Sequence, residues 1–209
     1  MKKITLFIFL LTFSLGYSQD PATGPTDPIA RNAWDVKSIY NGIDSPVPPQ
    51  YTNVPNGDFQ SFGGSNIVGP TVLGDGNTVM KYTNHLYSGI RAGAGDFDVT
   101  TMTKLHMDVY SPSSSITSLR VKLEAVNGSN VELDVPGTEL PNSWISFDLD
   151  LSTYAGADLA HLLWIVPVTY APPGVTLYID NVYFYRPATT QPPTLGAFTI
   201  APQLVGAPN

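Results

Sequence analysis

Val175-Thr-Leu-Tyr-Ile-Asp-Asn-Val-Tyr-Phe-Tyr-Arg-Pro187 decides the fold class of this 209-residue chain. Most of its side chains are β-branched or aromatic and fill the face of a pleated sheet well, so the stretch reads as a long buried strand. Asp180-Asn181 interrupts the apolar run. A carboxylate at that depth is costly unless it is hydrogen-bonded or bound to a cation. Two readings stay open. One is a hard cation, a structural calcium, which takes carboxylate and carbonyl oxygens in an irregular shell. In that case Asp44 and Asp58, in the Pro/Gly-rich segment after the first strand, are the candidate companions of Asp180. The other is an Asx-type hydrogen bond from Asp180 or Asn181 to a crossing loop.

Working outward, the sequence predicts further short strands at 34–40, 71–73, 78–82, 87–91, 104–110, 118–126, 131–135, 143–149 and 162–168. Gly, Asn, Pro and Ser clusters separate them, and no long helical period appears; only 153–163 suggests a helical turn. Many short strands with such punctuation predict an all-β antiparallel β-sandwich of the jelly-roll kind. Alternation is cleanest in Leu119-Arg-Val-Lys-Leu-Glu-Ala125, where Leu119, Val121, Leu123 and Ala125 point one way and Arg120, Lys122 and Glu124 the other. Antiparallel sheets with one wet face produce this pattern. Lys104-Leu-His-Met-Asp-Val-Tyr110 behaves alike, with His106 and Asp108 outward. If the two strands are neighbours, His106, Asp108, Arg120, Lys122 and Glu124 share one polar surface, and His106, Asp108 and Arg120 become candidate ligand contacts.

The two ends carry different information. Lys2-Lys3 followed by the apolar stretch Ile4 through Leu15 reads as a signal peptide over 1–18, too short to be a stable membrane span. Residues 19–29 read as a Pro-rich linker, 30–187 as the sandwich module, and 188–209 as a second linker and the start of a further β domain. The expected localisation is secreted or cell-surface. The chain has no cysteine, which removes disulfides as a source of stability. Formal net charge is −7, and −9 once Lys2 and Lys3 are removed. An acidic chain with scattered Lys and Arg lacks the basic footprint of a nucleic-acid binder.

No catalytic constellation is visible. The three glutamates are Glu124, Glu132 and Glu139, and none forms the paired-carboxylate strand that flanks a scissile glycosidic bond. There is no Gly-x-Ser-x-Gly elbow and no His-x-x-x-His metal spacing. The chain is therefore expected not to be an enzyme. Aromatic faces stack on sugar C–H surfaces while nearby polar groups fix hydroxyls. Tyr87, in a Gly- and Asn-flanked turn, is the better exposed aromatic candidate, with His85 beside it. Trp164, among Leu162, Leu163, Ile165 and Val166, reads as core, and Trp144 as packing over a sheet edge.

Taken as an ordered set, Trp34-Asp-Val-Lys-Ser-Ile-Tyr40, Tyr51-Thr-Asn-Val54, Met80-Lys-Tyr82, Thr103-Lys-Leu-His-Met-Asp-Val-Tyr110, Ser143-Trp-Ile-Ser-Phe-Asp-Leu149 and Tyr178-Ile-Asp-Asn-Val-Tyr-Phe184 resemble a known family. It is the galactose-binding-like β-sandwich modules attached to secreted Gram-negative glycoside hydrolases, including laminarinase-type enzymes. The resemblance implies a non-catalytic jelly roll that binds polysaccharide, often with a structural calcium held partly by the aspartate matching Asp180, and a covalently linked catalytic domain as a partner. Tyr110 departs from the pattern, in which Trp is frequent. The competing reading is a structural or adhesive spacer of a larger surface protein with no glycan ligand.

Overall fold

A computed structural model describes residues 20–42, 51, 58–91, 97–112, 118–135, 142–169 and 175–189. Among these residues, eleven strands run in chain order: β1 Val36–Tyr40, β2 Asp58–Phe62, β3 Asn66–Val72, β4 Thr78–His85, β5 Tyr87–Arg91, β6 Lys104–Tyr110, β7 Leu119–Ala125, β8 Asn130–Asp134, β9 Ile145–Asp150, β10 Leu162–Thr169 and β11 Val175–Tyr185. They form two antiparallel sheets packed as a β-sandwich. The first has the order β3-β4-β11-β6-β9, with β1 also on β11, and the second is β2-β5-β10-β7-β8. Two single 3₁₀ turns, Ala33–Asp35 and Leu151–Tyr154, are the helical content of the described residues.

β11 explains its own interruption. Its first half pairs with β4, from Val175↔His85 to Ile179↔Met80, and its second half pairs with β1, from Tyr40↔Val182 to Val36↔Tyr185. The change of partner falls at Asp180-Asn181. There the pairing with β6 also slips, Asp180 lying opposite Asp108 but Tyr183 opposite His106. The extra residue makes a β-bulge, and Asn181 adopts φ +49, a left-handed conformation that Asn tolerates better than most residues.

The core fills the space between the sheets. Leu105, Met107 and Val109 from β6 meet Leu119, Val121 and Leu123 from β7, all at 0 % exposure. Truncating one such leucine to alanine costs about 2–5 kcal/mol. β6 and β7 thus supply facing inner surfaces from different sheets, which corrects the expectation of one shared polar surface. His106 and Asp108 project from the outside of the first sheet, while Arg120, Lys122 and Glu124 belong to the second.

Residues 20–32, expected as linker up to 29, lie along the outside of the first sheet. Backbone carbonyls in this Pro-rich stretch accept hydrogen bonds from the sheet side: Trp144 Nε1 donates to Thr23 at 2.7 Å, Asn181 Nδ2 to Thr26 at 3.1 Å, and Tyr51 OH to Ile29 at 2.9 Å. Asp20 pairs with Lys81 at 2.6 Å and accepts from the Tyr178 hydroxyl. At the other end, buried Asp35 accepts from Arg186 Nε at 2.8 Å, from the Thr189 amide at 3.0 Å and from the Thr189 hydroxyl at 2.8 Å. This clamp ties the exit of β11 to the entry of β1. Burial alone would raise the Asp35 pKa, but these donors outweigh it and hold the carboxyl far below its usual range.

Candidate functional site

Strand parity in the second sheet sets what its outer face presents. Ser88 and Ile90 of β5 are turned into the core, so Tyr87, Gly89 and Arg91 point out. Phe62 lies opposite Tyr87 on β2. On β10, Ile165 is inward, which turns Trp164, Val166 and Val168 outward, opposite Glu124, Lys122 and Arg120 of β7. β8 adds Glu132 opposite Lys122 and Asp134 opposite Arg120. With strands about 4.8 Å apart, the face measures about 19 Å across its five strands.

One half of this face is aromatic. Phe62 packs edge-on against Trp164 with centroids 5.7 Å apart and tilts against Tyr87 at 5.9 Å, while the Arg91 guanidinium lies 5.6 Å from the Trp164 ring. Gly89 makes the cluster possible. A Cβ there would sit 2.6 Å from Phe62 and 2.8 Å from Trp164, closer than packed atoms approach. The other half is charged but internally compensated. Arg120 pairs with Asp134 at 2.5 Å and Glu132 at 3.3 Å, and Lys122 with Glu124 at 2.6 Å. Between the halves opens a groove of about 450 Å³, lined by Leu86, Tyr87, Lys122, Glu132, Val166 and Val168. Tyr87 is 36 % exposed at its rim. An apolar floor, an exposed ring and a few convergent donors and acceptors suit a ligand with one apolar face and peripheral hydroxyls.

The residues singled out in the sequence part company here. Tyr87 and Arg120 lie on this face. His85 does not, for it is fully buried at the end of β4, with Nδ1 2.9 Å from the Thr169 hydroxyl and Nε2 3.0 Å from that of Ser88. The Thr169 hydroxyl is 3.1 Å from the His85 carbonyl, which accepts its proton. That leaves Thr169 to accept from Nδ1–H and Ser88 to donate to Nε2, a neutral imidazole. Burial holds the His85 pKa down to about 3.

His106 and Asp108 lie on the other outer face, under residues 26–31. His106 stacks on Tyr183 at 4.6 Å and bonds Asp148 at 2.9 Å, with Asp108 at 3.4 Å. Burial would lower its pKa, but the two carboxylates outweigh that and raise it. Asp108 is 1 % exposed and accepts from Asn181 at 2.5 Å and from the Ser146 hydroxyl. His106 is half-buried and Asp108 buried, and both line a separate cleft of about 260 Å³ between residues 26–31 and the first sheet, on the face away from Tyr87. Trp164, expected in the core, belongs to the outer aromatic cluster; the sequence reading does not single out Phe62, and it names Lys122 and Glu132 without making them ligand contacts.

Asp180 sits at the bulge with 1 % exposure. Its Oδ1 accepts from the Gly42 amide at 2.9 Å and from the Asn181 amide at 2.8 Å, so part of the Asx-type reading is realised. Its Oδ2 is buried and has no hydrogen-bond partner among the described residues, and the same holds for Oδ1 of Asn77, whose side chain lies beside the carboxylate. Burial, with Asp108 close by, pushes the Asp180 pKa up to about 7 against the pull of the two backbone amides and of the Asn77 side chain, which also hydrogen-bonds the carboxylate. Two orphaned buried oxygens fit a hard cation. Among the described residues no group of three or more His, Cys, Asp or Glu gathers around a metal position. Asp44 lies outside the described residues, and Asp58 opens β2 opposite Arg91, in the sheet that does not carry Asp180.

No protein-family model matches this chain, and no curated protein matches it. Among solved structures, it is similar to the solution structure of CtCBM11, with 15 % identity, a TM-score of 0.51, and 76 % of this chain covering 99 % of that one. That likeness supports the sandwich fold. A family 11 carbohydrate-binding module from Clostridium thermocellum, in complex with a β-1,3-1,4-mixed-linked tetrasaccharide, matches at 15 % identity and TM-score 0.47 over 66 % of this chain and 93 % of that one. A family 30 carbohydrate-binding module matches at 11 % identity and TM-score 0.47, over 66 % and 82 %.

Proposed function

We propose that the protein is a secreted or cell-surface, non-catalytic carbohydrate-binding module that holds an uncharged polysaccharide chain on the outer face of its second sheet. The observation that carries this reading is Tyr87, the member of the Phe62–Tyr87–Trp164 cluster that lines a groove whose polar rim is Lys122 and Glu132. Rings stack on pyranose C–H faces, and the rim groups fix hydroxyls. Charge argues for a neutral glycan. The face's cations Arg120 and Lys122 are engaged by Asp134, Glu132 and Glu124, and the whole chain is acidic.

In this reading the module raises the local concentration of a linked glycoside hydrolase at its substrate, where even weak binding is effective through a tether. The orphaned oxygens of Asp180 and Asn77 support a structural calcium at the β11 bulge. The test is affinity electrophoresis of the whole chain against soluble β-glucan, xylan, chitin oligomers and alginate. Binding to neutral glycans but not to alginate is expected. Silence across the panel removes this reading in favour of the structural spacer.

A further inference from the structure

Tyr87 stands where the chain leaves one sheet and enters the other. β4 ends at His85 in the first sheet, β5 begins at Tyr87 in the second, and Leu86 is the corner between them. Tyr87 is the last register position of β5 on both sides, opposite Phe62 of β2 and Val168 of β10. The β2–β3 turn adds a second hold at this ladder end. Gly63 and Gly64, at φ +60 and +88, turn the chain back after Phe62, and the Ser65 amide closes the turn on the Phe62 carbonyl at 3.0 Å. Ser65 is 5 % exposed, and all the bonding capacity of its hydroxyl is directed at the crossover. Oγ accepts from the Leu86 amide at 2.8 Å and the Tyr87 amide at 3.2 Å, and donates to the Tyr87 carbonyl at 2.9 Å.

The link is reciprocal. Asn84, at φ +50 on the approach to the corner, donates from Nδ2 to the Gly64 carbonyl at 2.9 Å. The Tyr87 ring lies over Gly63, where a Cβ would stand 2.3 Å from its Cε1. The far side of the corner is held by the Thr169 amide, which donates to the Leu86 carbonyl at 2.7 Å.

We propose that Ser65 is a positioning residue for the glycan face: it locks the Tyr87 backbone to the turn that carries Phe62 and so sets the spacing of the two rings before any sugar arrives. This inference rests on the reading of that face as the glycan site. Ordering in advance removes an ordering cost from binding, so loosening the lock weakens affinity without removing a ligand contact. A purely structural serine would instead lower stability without acting through Tyr87.

The test compares Ser65→Ala, Tyr87→Ala and the double variant, with Asn84→Gly as a gentler break of the same link. Amide hydrogen exchange is measured without ligand, and affinity electrophoresis is run in mixed-linkage β-1,3-1,4-glucan. In Ser65→Ala the Leu86 and Tyr87 amides should exchange about tenfold faster, the loss of one hydrogen bond each, while Val121 in the core is unchanged. Affinity should fall by a similar factor in Ser65→Ala, less in Asn84→Gly, and by nothing further when Ser65→Ala is added to Tyr87→Ala. Uniformly faster exchange, or an equal affinity loss in both backgrounds, overturns the proposal. If Tyr87→Ala alone binds like the wild type, the glycan reading of the face fails, and the exchange data still decide whether Ser65 locks the corner.

Discussion

Acidification should destabilise the fold through His85. Its ring is fully buried, and burial holds its pKa down to about 3, whereas an imidazole in the unfolded chain titrates near 6.5. As pH falls below about 6.5, the unfolded state takes up a proton that the folded state refuses, so the linkage runs against folding. The contribution is fully present above the unfolded pKa and is lost progressively from there down towards the folded one. At about pH 5 the interval is about 1.5 units, which at about 1.36 kcal/mol per unit is about 2 kcal/mol. For a chain of this size that is about 4–8 °C in melting temperature. The raised pKa of His106 and that of Asp180 work in the opposite direction, so the wild-type curve alone does not isolate the effect. His85→Gln does, because it removes this titration and leaves the others in place. Thermal melts of both proteins, followed by circular dichroism from about pH 7.5 to about pH 5, should converge as pH falls, the wild type losing about 2 kcal/mol more than the variant over that interval. Parallel curves would refute the reasoning.

Gly89→Ala should destabilise by about 1–3 kcal/mol through overpacking and weaken glycan binding, because its Cβ drives Phe62 and Trp164 apart; melting and affinity electrophoresis read the two effects separately. Asp35→Asn should cost about 2 kcal/mol at neutral pH by removing charge-assisted bonds from Arg186 and Thr189. Since the folded pKa of Asp35 is lowered, that contribution is present above the unfolded value near 3.9 and lost as pH falls below it, so mutant and wild type should converge in acid melts. If calcium sits at Asp180, the ion at about a hundred times its dissociation constant adds about 2.7 kcal/mol. EDTA should then lower the melting temperature of the wild type but not of Asp180→Ala, and a wild-type curve that EDTA leaves unmoved rejects the ion.

The strands were legible where one face is wet. Alternation in Leu119–Ala125 gives both the strand and its inward residues, and the length of Val175–Tyr185 announces a central strand. β2 was missed, and only the end of β3 was seen, because Pro and Gly around them, including Gly69 and Pro70 within β3, mask their pattern. Parity says which residues point together but not into which layer. The chain between β6 and β7 crosses from one sheet to the other, so two similar patterns ended on opposite outer faces. Trp164 was hidden for a different reason. The floor of the groove is itself apolar, with Val166 and Val168 outward, so β10 shows no alternation to betray its outer side. Composition also cannot separate a free Pro-rich linker from one laid on a sheet, since what decides is a partner such as Trp144 or Asn181 more than a hundred residues away.

The central claim is that the Phe62–Tyr87–Trp164 face holds a neutral polysaccharide. Its most direct test is isothermal titration of the whole chain with the neutral glycan that affinity electrophoresis selects from the panel, for the wild type, Tyr87→Ala and Trp164→Ala, each first shown folded by its melt. The account predicts measurable wild-type binding and a loss of about tenfold or more for each truncated ring. Binding that survives intact in both variants would contradict it.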